Sequence, residues 1–123
     1  MELEGKVSLI TGASRGVGAA TALQLAQAGC RVAINFNQSA HQAEQVANRC
    51  HEAGVEAILV QGDVAEDAAC RAMVQQAMEA FGELDILINN AGTTRFIDFQ
   101  DLDAVTDEDW ERIFAVNLKG PFQ

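Results

Sequence analysis

Eight residues near the start of the chain, Thr11-Gly12-Ala13-Ser14-Arg15-Gly16-Val17-Gly18, have the types and spacing of a phosphate cradle. They follow the apolar run Val7 to Ile10 and lead into a helical pattern, so they read as a strand, a glycine turn and a helix N-terminus. Free backbone N–H groups and the positive end of the helix dipole face whatever fills such a turn, and glycines let an anion approach without obstruction by a Cβ. A glycine turn alone can be a packing feature. The strand-to-helix setting makes this one a predicted nucleotide site.

Other chemistry-bearing residues are sparse. Cys30, Cys50 and Cys70 are far apart and form no CxxC pair, which predicts reduced thiols rather than a disulfide framework or a zinc site. His41 and His51 share one polar helical segment without a nucleophile or ligand partner at useful spacing, and read as surface residues. The acids between Asp98 and Glu111 suit a solvated loop and helix start better than a metal site, and no metal is expected. The formal net charge of −10 is unevenly placed: residues 1–62 carry five acids and four bases, residues 63–123 thirteen acids and four bases. That balance disfavours nucleic acid or an anionic membrane as a partner.

The scaffold is legible from alternating apolar runs and helical patterns. With 123 residues, 49% hydrophobic, and a single proline, the chain suits one folded α/β domain. Strands are expected at Val7–Thr11, Arg31–Phe36, Glu56–Gln61 and Leu84–Ile88, and helices at Ala19–Ala28, Ala40–Ala53 and Glu66–Phe81. Ser39 is the expected N-cap of the second helix, and Gly29, Gly54 and Gly82 follow the helix ends. After a loop from Asn89 to Val105, Thr106-Asp107-Glu108-Asp109 announces a fourth helix, with Trp110, Ile113, Phe114 and Asn117 expected on one face. Strands apolar on consecutive residues are parallel strands covered on both faces, which predicts a doubly wound, Rossmann-type parallel sheet of about four strands with flanking helices. No stretch reaches the roughly 20 apolar residues of a membrane span, and Met1-Glu2-Leu3-Glu4 lacks a signal peptide's basic flank and apolar block, so a cytoplasmic location is expected.

Four separated elements, Thr11 to Gly18, Gly62-Asp63-Val64, Asn89-Asn90-Ala91-Gly92 and Val116-Asn117-Leu118-Lys119-Gly120, stand in the order and spacing of one family. Over essentially its whole length the chain resembles the short-chain dehydrogenase/reductases, and within them the 3-oxoacyl carrier-protein reductases, with sugar dehydrogenases as rivals. The resemblance implies an NAD(P)(H)-dependent oxidoreductase that passes hydride between the nicotinamide and a small carbonyl or alcohol, and a complete form that pairs as a homo-oligomer. It implies that Gly12, Gly16 and Gly18 form the pyrophosphate turn, with Ser14 and Arg15 toward the adenosine and Val17 toward the nicotinamide. Ser14 has an alternative as a turn-stabilising hydroxyl. Asp63 resembles the residue that accepts from the adenine amino group, with Val64 beside it; the alternative is a cap on the following turn. Asn90, Ala91 and Gly92 resemble the run that touches the cofactor ribose, and a purely structural loop role is the alternative.

An NAD site wants an acid about 20 residues past the glycines, to hold the ribose 2′-hydroxyl. From Ala19 to Ala43 there is none; Asn37 and Gln38 stand where it would be, and Arg15 can pair a 2′-phosphate. NADP(H) is therefore expected over NAD(H). The same missing acid disfavours a methyltransferase. Asn117 resembles the asparagine of the family's Asn-Ser-Tyr-Lys group, which orders a relay water, and Pro121 has no N–H to offer the Asn117 carbonyl one helical turn back. The chain contains no Tyr, so the catalytic Ser and Tyr-x-x-x-Lys of the family are not in it. The expectation is an amino-terminal half, residues 1–123, that binds cofactor, does not catalyse alone and leaves its fourth strand with an unpaired apolar edge. A noncatalytic nucleotide-binding module completed by a partner chain is the alternative.

Overall fold

The computed structural model describes residues 2–123. β1 (Val7–Ile10), β2 (Arg31–Phe36), β3 (Ala57–Gln61) and β4 (Ile86–Ile88) form one sheet in the order β3-β2-β1-β4, with every neighbouring pair parallel. α1 (Gly16–Gln27), α2 (Ala40–Glu52) and α3 (Asp67–Phe81) make the crossovers. The strand order runs outward from β1 to β3 and then jumps back to β4, so helices cover both faces and a crevice opens at the carboxyl ends of β1 and β4.

The alternation of side chains along each strand divides the core in two. Ile10, Val32, Ile34 and Phe36 pack against Ala19, Ala22 and Ala26 of α1 and Ala43, Val46, Ala47 and Cys50 of α2. On the opposite face Val7, Leu9, Ala33 and Val60 pack against Cys70, Met73, Ala77 and Phe81 of α3. Alanines on the inward face of α1 let that helix lie close to the sheet, which holds the turn before it in place. Cys30, Cys50 and Cys70 are all free and buried, and burial pushes each thiol up.

Beyond β4 the loop contains a 3-10 turn, Leu102–Ala104, before α4 (Asp107–Phe114). Thr106 and Asp109 close a reciprocal capping box at the start of α4, and Asp109 also pairs with Arg95. α4 runs into a π-turn, Ala115–Lys119, and then a short α5 (Gly120–Phe122).

Three expectations are corrected. α1 begins at Gly16 rather than Ala19: Arg15 is extended (φ −158°, ψ 174°) and its carbonyl accepts the Ala19 N–H at 3.2 Å, so the glycines occupy the first turn despite their low helix propensity. Ser39 stands at the expected N-cap position of α2, but its side chain makes no cap bond. The expected single face of the last helix divides: Ile113 is half-buried and Asn117 turns to the loop after β4, whereas Trp110 and Phe114 stack on the solvent side with ring centroids 5.7 Å apart. β4 is an edge strand, and Leu87 on it is half-exposed.

Ala22 is fully buried between α1 and the sheet. Ala22→Leu is expected to overpack that contact and lower stability by about 1–3 kcal/mol, measured by urea unfolding.

Candidate functional site

The glycine turn is held from behind by two buried polar residues. The Thr11 hydroxyl accepts the N–H groups of Asn90 at 3.0 Å and Ala91 at 2.9 Å, tying the end of β1 to the loop after β4. Asn35, buried in β2, accepts the Gly12 N–H on Oδ1 at 3.0 Å and the Ala13 N–H on its main-chain carbonyl at 2.8 Å. Its Nδ2 donates to the carbonyls of Val60 at 3.0 Å and Gly62 at 3.1 Å, which fixes the loop after β3 against the same turn. Asn90 donates from Nδ2 to the carbonyls of Thr11 and Gly12 at 3.0 and 3.1 Å, so its amide shapes the turn as well as lying beside it.

Gly12 and Ala13 have therefore committed their N–H groups within the protein. The donors left for an anion lie further on, at the start of α1, where no side chain caps the helix and the N–H groups of Gly16, Val17 and Gly18 lack intrahelical partners. Gly18 sits beneath: a Cβ there would come within 2.5 Å of Asn90 Nδ2 and 2.6 Å of the Gly12 carbonyl oxygen. Gly16 has φ +59°, a backbone conformation strained for any side chain, and open space where its Cβ would be. These residues fit a phosphate group in shape and in donors.

The turn opens on a cleft of about 580 Å³. Gly12, Ser14, Arg15, Gly16 and Val17 form one wall, Asn37 lies at the end of β2, Asp63 and Val64 follow β3, and Asn90, Ala91 and Gly92 follow β4. Eleven of the thirteen residues singled out in the sequence thus share one space; Gly18 and Asn117 do not line it. Arg15 is exposed and has no acidic partner among the described residues, while Asn37 and Gln38 present no charge opposite it. Among the described residues no cluster of His, Cys, Asp and Glu could hold a metal, and no helix is long and apolar enough to cross a membrane.

Asp63 is held on both oxygens. Oδ1 accepts the Ala65 N–H at 3.0 Å and Oδ2 accepts Arg112 Nη1 at 2.7 Å. Burial pushes the carboxyl up, but the Arg112 hydrogen bond, the Ala65 N–H and the guanidinium charge outweigh it and hold Asp63 below the ordinary carboxylate range.

Asn117 lies at the other end. Its Oδ1 accepts the Thr93 N–H at 2.7 Å and its Nδ2 donates to the Thr93 carbonyl at 2.9 Å, so the amide clasps the loop after β4. The π-turn around it has the Gly120 N–H reaching back five residues to Ala115, and Pro121 offers no N–H to the Asn117 carbonyl. Sequence reading missed Asn35, Arg112 and Thr93. An asparagine inside the run Val32-Ala33-Ile34-Asn35-Phe36 was a usable signal, because a buried amide must find partners. Arg112 meets a residue 49 positions away and Thr93 one 24 away, pairings no local pattern encodes.

A family model described as short chain dehydrogenase matches residues 6–123. A versicolorin reductase of Emericella nidulans is 42% identical over 120 residues, covering 98% of this chain and 44% of the relative. Among solved structures, a short chain dehydrogenase from Burkholderia cenocepacia in complex with NADP superposes with a TM-score of 0.92 at 42% identity, over 99% of this chain and 49% of that one. A short-chain dehydrogenase/reductase from Serratia marcescens gives 0.90 at 38% identity, with the same coverage. The chain spans about half the length of the proteins it matches.

Gly18→Ala is expected to cost about 1–3 kcal/mol in urea unfolding, because neither the Gly12 backbone nor the bonded Asn90 amide can give way freely. The lowered Asp63 value contributes stability above the ordinary carboxylate range that is lost as pH falls through it. Unfolding midpoints followed from pH 6 down to about 3 should therefore fall more steeply for the parent than for Asp63→Asn. Because both partners are partly exposed, that difference should stay under about 1 kcal/mol.

Proposed function

The chain belongs to the short-chain dehydrogenase/reductase family, and from that premise we propose that its cleft binds a nicotinamide dinucleotide, NADP(H) in preference to NAD(H). Residues 1–123 then form the cofactor-binding domain of an oxidoreductase acting on a small carbonyl or alcohol, homo-oligomeric in its complete form. One observation carries the reading: an uncapped helix N-terminus with glycines in its first turn faces the same cleft as an arginine without an acidic partner, and no acid stands at the end of β2. The NADP complex of the Burkholderia relative supports it.

In this reading the N–H groups of residues 16–18 take the pyrophosphate, Ser14 and Arg15 meet the adenosine 2′-phosphate beside Asn37, and Asp63 accepts from the adenine amino group with the Val64 main chain alongside. Asn90, Ala91 and Gly92 flank the nicotinamide ribose, and Val17 lies toward the ring. The nicotinamide supplies or accepts the hydride. Asn117 contributes through position: its side chain fixes Thr93 at the edge of the site, and its main-chain carbonyl, without a donor from Pro121, anchors a water in the proton path. The chain has no Tyr, so the general acid of the family is not among these residues.

Calorimetric titration of the chain with NADPH and NADH tests the proposal. NADPH is expected to bind about tenfold or more tightly, and Arg15→Ala to bring it close to NADH while leaving NADH almost unchanged. Equal losses for both nucleotides would remove Arg15 from the 2′-phosphate. No binding of either by the parent chain would overturn the cofactor reading.

A further inference from the structure

We propose that Arg112, a residue of α4, positions the Asp63 carboxylate and so sets the selectivity of this cleft for an adenine base over a base that carries a carbonyl at the same position. The inference rests on the proposal that Asp63 reads the base.

The geometry carries it. A carboxylate on a single Cβ–Cγ bond turns freely unless both oxygens are engaged, and a freely turning acceptor discriminates poorly between donors. Here the Ala65 N–H holds Oδ1 and Arg112 Nη1 holds Oδ2. Ala65 belongs to the same short turn as Asp63 and moves with it, so among the described residues Arg112 is the partner that fixes the carboxylate from outside. Each oxygen keeps one further lone pair for an incoming N–H. The carboxylate is ionised near neutral pH, hence an acceptor only, and an ionised acceptor facing a base carbonyl is repulsive where an amino group is bonded.

Arg112 does not act from a floating side chain. The stretch that continues from its helix through the π-turn and α5 is seated on this loop at two more points: a Cβ on Gly120 would lie 3.0 Å from Val64 Cγ2, and Gln123 Nε2 donates to the Val64 carbonyl at 2.9 Å. The same helical segment clasps Thr93 through Asn117. The stretch from α4 to residue 123 therefore bridges the cleft, meeting the loop after β3 at Arg112, Gly120 and Gln123 and the loop after β4 between them at Asn117.

The test uses the chain with NADPH and its hypoxanthine analogue, in which the amino group is replaced by a carbonyl, and reads the ratio of the two dissociation constants rather than either alone. A general loss of fold or affinity moves both constants together and leaves the ratio unchanged. The parent is expected to favour adenine about tenfold or more. Asp63→Asn should bring the ratio near one, because an amide can present either a donor or an acceptor. Arg112→Ala should lower the ratio at least about threefold, Arg112→Lys should restore part of it, and Arg112→Ala should have no further effect once Asp63→Asn is in place. If Asp63→Asn collapses the ratio while Arg112→Ala leaves it unchanged or raises it, the role given to Arg112 is wrong and the reading of Asp63 stands. If Asp63→Asn leaves the ratio as it was, Asp63 does not read the base and both fall.

Discussion

The buried amide of Asn35 is the point on which the rest of the site depends. It lies in the middle of the sheet, 2% exposed, and every polar atom it carries is used. An unsatisfied amide at that depth would cost about 1–3 kcal/mol, so its partners are strongly enforced. Those partners are the glycine turn after β1 and the strand end and loop after β3. One side chain thus fixes the distance between the glycine turn and the segment that carries Asp63.

A second level of order comes from α4. Together with the π-turn and α5 that continue it, it is tied to the loops by Arg112 to Asp63, Gly120 and Gln123 to Val64, and Asn117 to Thr93, while Val116 joins the buried core on the α3 side. The opposite side carries Trp110, Phe114, Leu118 and Phe122, all exposed and spaced every fourth residue. A helix held by the rims of a cleft reports on both rims at once. This gives physical content to the placement of Asn117 on the same segment as Arg112, which holds the Asp63 carboxylate.

The sequence made the strands and crossovers visible because parallel strands covered on both faces leave consecutive apolar residues, a pattern set by burial alone. β2 was legible to the residue, as Arg31–Phe36. The start of α1 was not, because the residues that open it are chosen for close approach and for N–H exposure, and those demands put glycine where helix propensity argues against a helix. The glycine turn, Asp63 and the Asn-Asn-Ala-Gly run were readable as motifs since each is compact along the chain. Arg112 and Thr93 were not, since their partners are brought to them only by the fold. Asn90 was half-legible: the motif marked it, while its grip on the Thr11 and Gly12 carbonyls belongs to the three-dimensional structure.

Because Asn35 and Thr11 shape the turn from the inside, the loop is stiff before any ligand arrives. A flexible loop must surrender conformational freedom each time it closes on an anion, at roughly 1–2 kcal/mol per residue ordered. Here that entropy is surrendered once, during folding, and is set against core hydrogen bonds that form whether or not the cleft is filled. The consequence is a cleft whose shape is set by folding rather than by a ligand: an anion meeting the helix N-terminus would find the donors already in place.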